Sequence, residues 1–239
     1  GPQGIGGNLV ARHIGIVACS AEGAALCYTT LCTEAPELMG KKHAHPEVSM
    51  HTHPFSDYVR LIEAGKWDGV AALMLSSEEK LAKAGAELVI CPDNTIHRVF
   101  DQVIAKARLP WLHIAEEVAK VAGHRGYKKV GLIGTAYTMD GSFYQEKLAA
   151  QGIEVVLPGA KDRKLINRII FDELVAAQFT AESRAYFTGL ISEMRGQGCE
   201  AVALGCTEVP LIITEENSPL PVLDSTRLLA RAALRVSLE

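Results

Sequence analysis

The sequence predicts an α/β protein of two similar lobes, each a mainly parallel sheet flanked by helices. Three observations predict it. Short runs rich in Val, Ile and Leu alternate with longer helical patterns along the chain, the signature of β-α units that build parallel sheets. Strand-end motifs recur, Ile14-Gly15-Ile16-Val17 resembling Val130-Gly131-Leu132-Ile133 and Glu87-Leu88-Val89-Ile90-Cys91 resembling Glu200-Ala201-Val202-Ala203-Leu204-Gly205-Cys206. The spacings agree as well: 76 residues from Gly15 to Cys91 and 75 from Gly131 to Cys206. Each half is therefore expected to carry one cysteine at a corresponding strand end.

Taken in order, residues 1–12 are Gly-rich, lack apolar periodicity and open with the Gly-Pro pair that tag removal often leaves, so they are set aside as a flexible N-terminus or tag remnant. Apolar runs predict strands at 13–18, 48–51, 88–91, 111–113, 129–134, 154–157 and 201–205, with a short one near Val222. Helical patterns fill the gaps at 24–38, 57–64, 76–85, 95–107, 115–122, 143–151, 165–177 and 182–196. Two of these helices end in Gly turns, Lys83-Ala84-Gly85 and Arg195-Gly196-Gln197-Gly198, just before the strands that lead to Cys91 and Cys206. The expected lobes are 13–114 plus 222–239, and 115–221.

Composition narrows the function classes. At 239 residues, 48% hydrophobic and 22% charged, the chain has the make-up of a globular protein large enough for two cores. A net charge of −4, without a dense Lys/Arg block, argues against a nucleic-acid partner. No apolar run approaches the roughly 18 residues of a membrane helix and no signal pattern opens the chain, so the expectation is a cytoplasmic protein with no membrane association. Six cysteines without a C-x-x-C pair indicate free thiols rather than a disulfide scaffold or zinc knuckle. Cys27 and Cys32, inside a predicted helix, read as core.

Cys91 and Cys206 differ because they fall at the C-terminal ends of predicted strands, where open parallel sheets bind ligands. Each is followed by polar residues, Pro92-Asp93-Asn94-Thr95 and Thr207-Glu208, and then by a predicted turn or helix. The N–H groups there are expected to favour a thiolate and to hold a carboxylate. A thiol on each wall of a shared cleft suits proton removal from one face of a substrate carbon and proton return to the other, with both pKa values near operating pH. The chemistry is racemisation by two bases, with no cofactor and no metal.

These residues also carry a family resemblance. Ile90-Cys91-Pro92-Asp93-Asn94-Thr95-Ile96-His97 and Leu204-Gly205-Cys206-Thr207-Glu208-Val209-Pro210 resemble the two cysteine motifs of the cofactor-independent aspartate/glutamate racemases, the second being the more specific. Gly131-Leu132-Ile133-Gly134-Thr135-Ala136-Tyr137-Thr138 and Ile170-Phe171-Asp172-Glu173-Leu174 are similar to further family segments, so the resemblance spans about 13–234. It implies an active site between the lobes, a homodimer, a small carboxylate substrate such as aspartate or glutamate, and no pyridoxal phosphate or metal. It also implies Cys91 and Cys206 as the acid/base pair and Asn94, Thr95 and Thr207 as carboxylate binders. Thr207-Glu208 disfavours hydantoin-type racemisation; another cofactor-free isomerase or decarboxylase, or a non-catalytic anion-binding module, is the alternative. Two departures stand out. Pro92 and Asp93 separate Cys91 from Asn94-Thr95, where the family usually has one or no residue, and Ala18-Cys19-Ser20-Ala21-Glu22-Gly23 stands where aspartate racemases usually have Gly-Gly-Met.

Further pocket candidates come from strand ends. Ser20 and Cys19 follow the first strand, His51 and His53 close the second, and Thr135 and Thr138 follow the fifth. The H-x-H pairs of His43, His45, His51 and His53 permit zinc geometrically, but a polar pocket wall or a surface role is the stronger reading. Turn capping is the plain alternative for Thr135, Thr138 and Asp93. His97 is expected either to support the thiolate or to be a solvated helical histidine. Arg163, Lys164 and Arg168 read as a solvated face.

Overall fold

The computed structural model describes residues 10–239. The stretch 1–9, most of the segment set aside above, lies outside the described residues. Two four-stranded, wholly parallel sheets form the framework. The first is built from β1 (Ile14–Ala18), β2 (Val48–Thr52), β3 (Leu88–Ile90) and β4 (Trp111–Leu112), in the order β2-β1-β3-β4. The second uses β5 (Lys129–Gly134), β6 (Glu154–Val156), β7 (Ala201–Gly205) and β8 (Val222–Asp224), in the order β6-β5-β7-β8. The strand order is the same in both, as a duplicated β-α plan requires.

Ten α-helices occur among the described residues: α1 (Ala21–Met39), α2 (Phe55–Glu63), α3 (Trp67–Lys83), α4 (Phe100–Ile104), α5 (Ile114–His124), α6 (Ala136–Asp140), α7 (Phe143–Ala149), α8 (Ala160–Ile169), α9 (Ala181–Gly196) and α10 (Ser225–Ser237). The described residues divide into two compact units, 10–92 with 99–112 and 229–239, and 93–98 with 113–228. The expected boundary thus shifts. Strand β8 pairs with β7 and belongs to the second sheet, so only the C-terminal part of the stretch 222–239 joins the first unit. Residues 93–98 also leave the first lobe for the second unit, for reasons given below.

In the first unit every residue of β1 is buried, as expected of a central strand covered on both faces. Gly15 lets its neighbours approach: a Cβ there would lie 2.9 Å from Val89 Cγ1 on β3, 3.0 Å from Ala86 Cβ and 3.3 Å from Leu81 Cβ on α3. The buried carboxylate of Glu78 on α3 fixes the entry to β4, accepting from the N–H groups of Arg108 (3.0 Å) and Leu109 (3.4 Å) and from Trp111 Nε1 (2.5 Å). Arg12 N–H donates to Ser237 O, tying the segment before β1 to the end of α10.

Sheet alternation sorts the second unit's core. Ile133, Val202 and Leu204 join one cluster with Phe187, Ile191 and Ile166 from α9 and α8. Val130, Leu132, Ala201 and Ala203 join another with Val118, Tyr144 and Leu148 from α5 and α7. Gly131 repeats the device of Gly15, since a Cβ there would strike Met194 of α9.

Three predicted helices are corrected. The stretch 76–85 is the C-terminal half of α3, which begins at Trp67. The stretch 95–107 is a 3-10 helix, Thr95–Val99, followed by the short α4. Its first turn is redirected because the His97 ring Nδ1 donates to Asp93 O at 2.7 Å, occupying the carbonyl that a backbone N–H would take in an α-helix. The stretch 165–177 begins earlier, at Ala160, and widens after Ile169 into a π turn, Ile170–Leu174, where Val175 N–H donates to Ile170 O at 2.9 Å. No helix among the described residues is long and apolar enough to cross a membrane.

Candidate active site

Registration of the two sheets fixes which residues are equivalent. Gly15 pairs with Val89 in the first sheet and Gly131 with Val202 in the second. Independent marks confirm the match. Glu87 N–H donates to His13 O and Glu200 N–H to Lys129 O, each at 2.8 Å; Val89 N–H donates to Pro110 O at 3.0 Å and Val202 N–H to Pro221 O at 2.9 Å. On this ladder Cys91 lies two residues beyond Val89, while Cys206 lies four beyond Val202. Cys91 is therefore the counterpart of Leu204, and the counterpart of Cys206 is Asp93. The near-equal spacings of 76 and 75 arise because a longer path to β3 compensates for a shorter step past it. The expectation that the two thiols occupy corresponding positions is corrected by this register.

Cys206 sits one residue past β7, 4% exposed, with Val209 N–H directed at its Sγ at 3.4 Å. Burial first, and then the Glu208 and Asp224 carboxylates, push this thiol well above its usual range; the backbone bonds from Val209 and Glu208 oppose the shift without cancelling it. The structure holds Cys206 as a thiol at neutral pH. The expected thiolate stabilisation fails because the turn that follows, Val209–Leu211, is a three-residue 3-10 helix. So short an element has little dipole to set against desolvation.

Around Cys206 runs a buried polar chain that the sequence only partly announced. Tyr144 Oη donates to Asn94 Oδ1. Asn94 Nδ2 donates to Ser225 Oγ at 3.0 Å, and Ser225 Oγ donates to Leu204 O at 2.7 Å. Burial holds the Tyr144 phenol well above its usual pKa, so it remains a donor, and the nearby Cys206 and Asp224 push in the same direction. Thr207 Oγ1 donates to Glu208 Oε1 at 2.5 Å. Thr95 and Thr135 hydroxyls meet at 3.0 Å, and Thr135 in turn bonds Thr138 and caps α6. Asn94, Thr95, Thr135, Thr138 and Thr207 are thus brought to the strand ends of the second unit with Cys206. Tyr144 and Ser225 complete the group; neither lies in a cysteine motif, and only the register of α7 and α10 places them here.

His97 is buried rather than solvated. It is 2% exposed, its Nδ1–H donates to Asp93 O, and its Nε2 accepts from Ile114 N–H at 3.3 Å. Burial pulls its pKa down to about 4, against smaller upward effects of the Asp93 and Asn94 backbone. The neighbouring His113, whose side chain caps α5 by accepting from Ala115 N–H, is pulled down to about 2, first by burial and then by His97 and Lys147. Both rings are neutral struts that lock the Asp93–Arg98 segment to α5.

The remaining candidates belong to the first unit. Cys91 directly follows β3 and is fully buried. Ser20 lies two residues past β1 and caps α1, its Oγ accepting from Gly23 N–H at 3.2 Å. His53 follows β2 with its ring 4.8 Å from that of His51, which bonds Ser77 Oγ at 2.8 Å. Cys19 is buried at the end of β1. Among the described residues no group of three or more His, Cys, Asp or Glu side chains is arranged to hold a metal ion.

The framework is thus a duplicated parallel α/β fold with a thiol and clustered hydroxyl and carboxamide groups at the strand ends of its second unit. The Asp/Glu/Hydantoin racemase profile matches residues 15–233, and the chain belongs to that family. It is 32% identical to a candidate Asp/Glu racemase from Yersinia pestis, whose structure superposes with a TM-score of 0.88 over 95% of this chain and 100% of that one. An aspartate racemase homologue from Pyrococcus horikoshii OT3 is also 32% identical, with a TM-score of 0.82 and the same coverage. The broad specificity amino-acid racemase RacX of Bacillus subtilis is 26% identical over 169 residues, 70% of this chain and 72% of that one.

Proposed function

We propose that the protein is an amino-acid racemase that removes the α-proton of its substrate and returns a proton to the opposite face, with aspartate and glutamate as the first substrates to test. The observation that carries this reading is the buried thiol of Cys206 among hydroxyl and carboxamide groups at the ends of β5, β7 and β8. A thiol kept protonated is a proton donor for a carbanion formed at the α-carbon, and the adjacent hydroxyl and amide groups suit a carboxylate. Family membership and the racemase relatives point the same way.

The test is incubation of each enantiomer of a panel of amino acids with the purified protein in deuterated water, read by chiral chromatography and mass spectrometry. Interconversion with deuterium at the α-carbon supports the reading, and Cys206→Ser should lower it at least 100-fold. Absence of both interconversion and exchange across the panel refutes it.

A further inference from the structure

The geometry points to Asp93, rather than Cys91, as the acid/base group that works opposite Cys206. This rests on the racemase reading and sharpens it from two like thiols to an unlike pair, one carboxyl and one thiol.

Three observations meet at Asp93. By sheet register it is the internal counterpart of Cys206, the residue four past the matched valine in each half. It also heads the one short segment, Asp93–Arg98, that leaves the first unit and packs with the second. Every hydrogen bond described for the polar side chains of Asn94 and Thr95 goes to that unit: Asn94 to Tyr144 and Ser225, Thr95 to Thr135. The backbone carbonyl of Asp93 itself is held by His97, which is held in turn by Ile114 N–H. Asp93 is thus delivered, on a hydrogen-bonded turn, to the same unit whose strand ends carry Cys206. Cys91 is fully buried and stays with the first unit, while Asp93 keeps 8% of its surface and Cys206 4%.

The chemistry balances. The Asp93 carboxylate takes the α-proton, and the C–H electron pair passes into the substrate carboxylate as an enediolate. The Cys206 thiol then gives its proton to the opposite face, forming the mirror-image α-carbon and leaving Asp93 protonated and Cys206 as thiolate. The other enantiomer runs the same transfers in reverse, and a proton returning from Asp93 to Cys206 through solvent resets the protein after one-way turnover. Two like thiols exchange roles on equal terms; a carboxyl and a thiol differ by several units in ordinary acidity. The resting protein accordingly serves one enantiomer directly and the other only after a proton shift.

Asp93→Asn, Asp93→Cys and Cys91→Ala, each checked for folding by circular dichroism, test this with the amino acid that wild type turns over best. Asp93→Asn is expected to lose at least 100-fold in racemisation while Cys91→Ala loses less than tenfold. Asp93→Cys, which restores a two-thiol pair, should keep activity within about 100-fold of wild type and reduce the difference between enantiomers in first-turnover deuterium exchange. Near-normal racemisation by Asp93→Asn, or a loss in Cys91→Ala as large as that in Asp93→Asn, overturns the assignment and leaves the racemase reading in place. A wild type that neither racemises nor exchanges any amino acid overturns both.

Discussion

Acidification should weaken the second unit through His97, and the size of the effect follows from its surroundings. In the fold its Nδ1–H donates to Asp93 O at 2.7 Å and its Nε2 accepts from Ile114 N–H, so protonation at Nε2 breaks the second bond and buries a charge. Its pKa of about 4 in the fold lies below the ordinary value of 6.5, so between those values the unfolded chain binds the proton more tightly. The contribution is complete above pH 6.5 and is lost as pH falls toward 4. A shift from 6.5 to about 4 corresponds to about 3 kcal/mol in full, of which most is lost by pH 4.5. His113, with its ring centroid 4.9 Å away and its pKa near 2, adds a loss of the same sign. Urea unfolding at pH 7, 6, 5 and 4.5, with wild type and His97→Asn side by side, measures it. Asn can keep the bond to Asp93 O but cannot titrate. We expect His97→Asn to be less stable at pH 7 by about 1–2 kcal/mol, for the lost partner of Ile114 N–H, and clearly flatter toward pH 4.5. Equal slopes in the two proteins would refute the assignment of His97 as a buried neutral strut.

Two further perturbations test the framework. Glu78→Gln puts an amide NH2 among the three N–H donors now shared by one carboxylate, and should cost about 2–3 kcal/mol in urea unfolding followed by Trp111 fluorescence; no change would mean that the loop before β4 holds itself. Gly134→Ala should destabilise by about 1–3 kcal/mol and lower activity together, because its Cβ would stand 2.7 Å from Gly205 O, backbone that cannot yield without moving Cys206. An unperturbed Gly134→Ala variant would show that β5 and β7 are less rigid at their ends than the register implies.

Periodicity made the framework legible in the sequence. All eight strands are found within about two residues of their expected places, because buried parallel strands such as β1 and β7 are continuous apolar runs with sharp polar ends. The duplication was legible for the same reason, since Gly15 and Gly131 each admit a close-packed helix. Helix details were less so. The 3-10 turn at Thr95–Val99 depends on a ring-to-backbone bond made by His97, and the π turn after Ile169 depends on widened backbone bonds such as those from Val175 to Ile170 and from Gln178 to Glu173. Neither leaves a compositional trace.

The site shows more sharply where counting residues and counting ladder pairs diverge. Counting from Gly to Cys equates Cys91 with Cys206, because a difference in the path to the third strand cancels a difference past it. Hydrogen-bond register permits no such cancellation: a shift of two residues preserves the face of a strand but moves a side chain roughly 7 Å along it. Such a displacement separates a group at the strand end from one in the turn beyond. The Asn94-Thr95 pair is the better guide, because its side chains reach Tyr144 on α7, Ser225 on α10 and Thr135 just past β5, and it is Asp93, not Cys91, that immediately precedes it. Counted from the matched valines, the two residues that look like an insertion after Cys91 are the continuation that makes Asp93 the counterpart of Cys206.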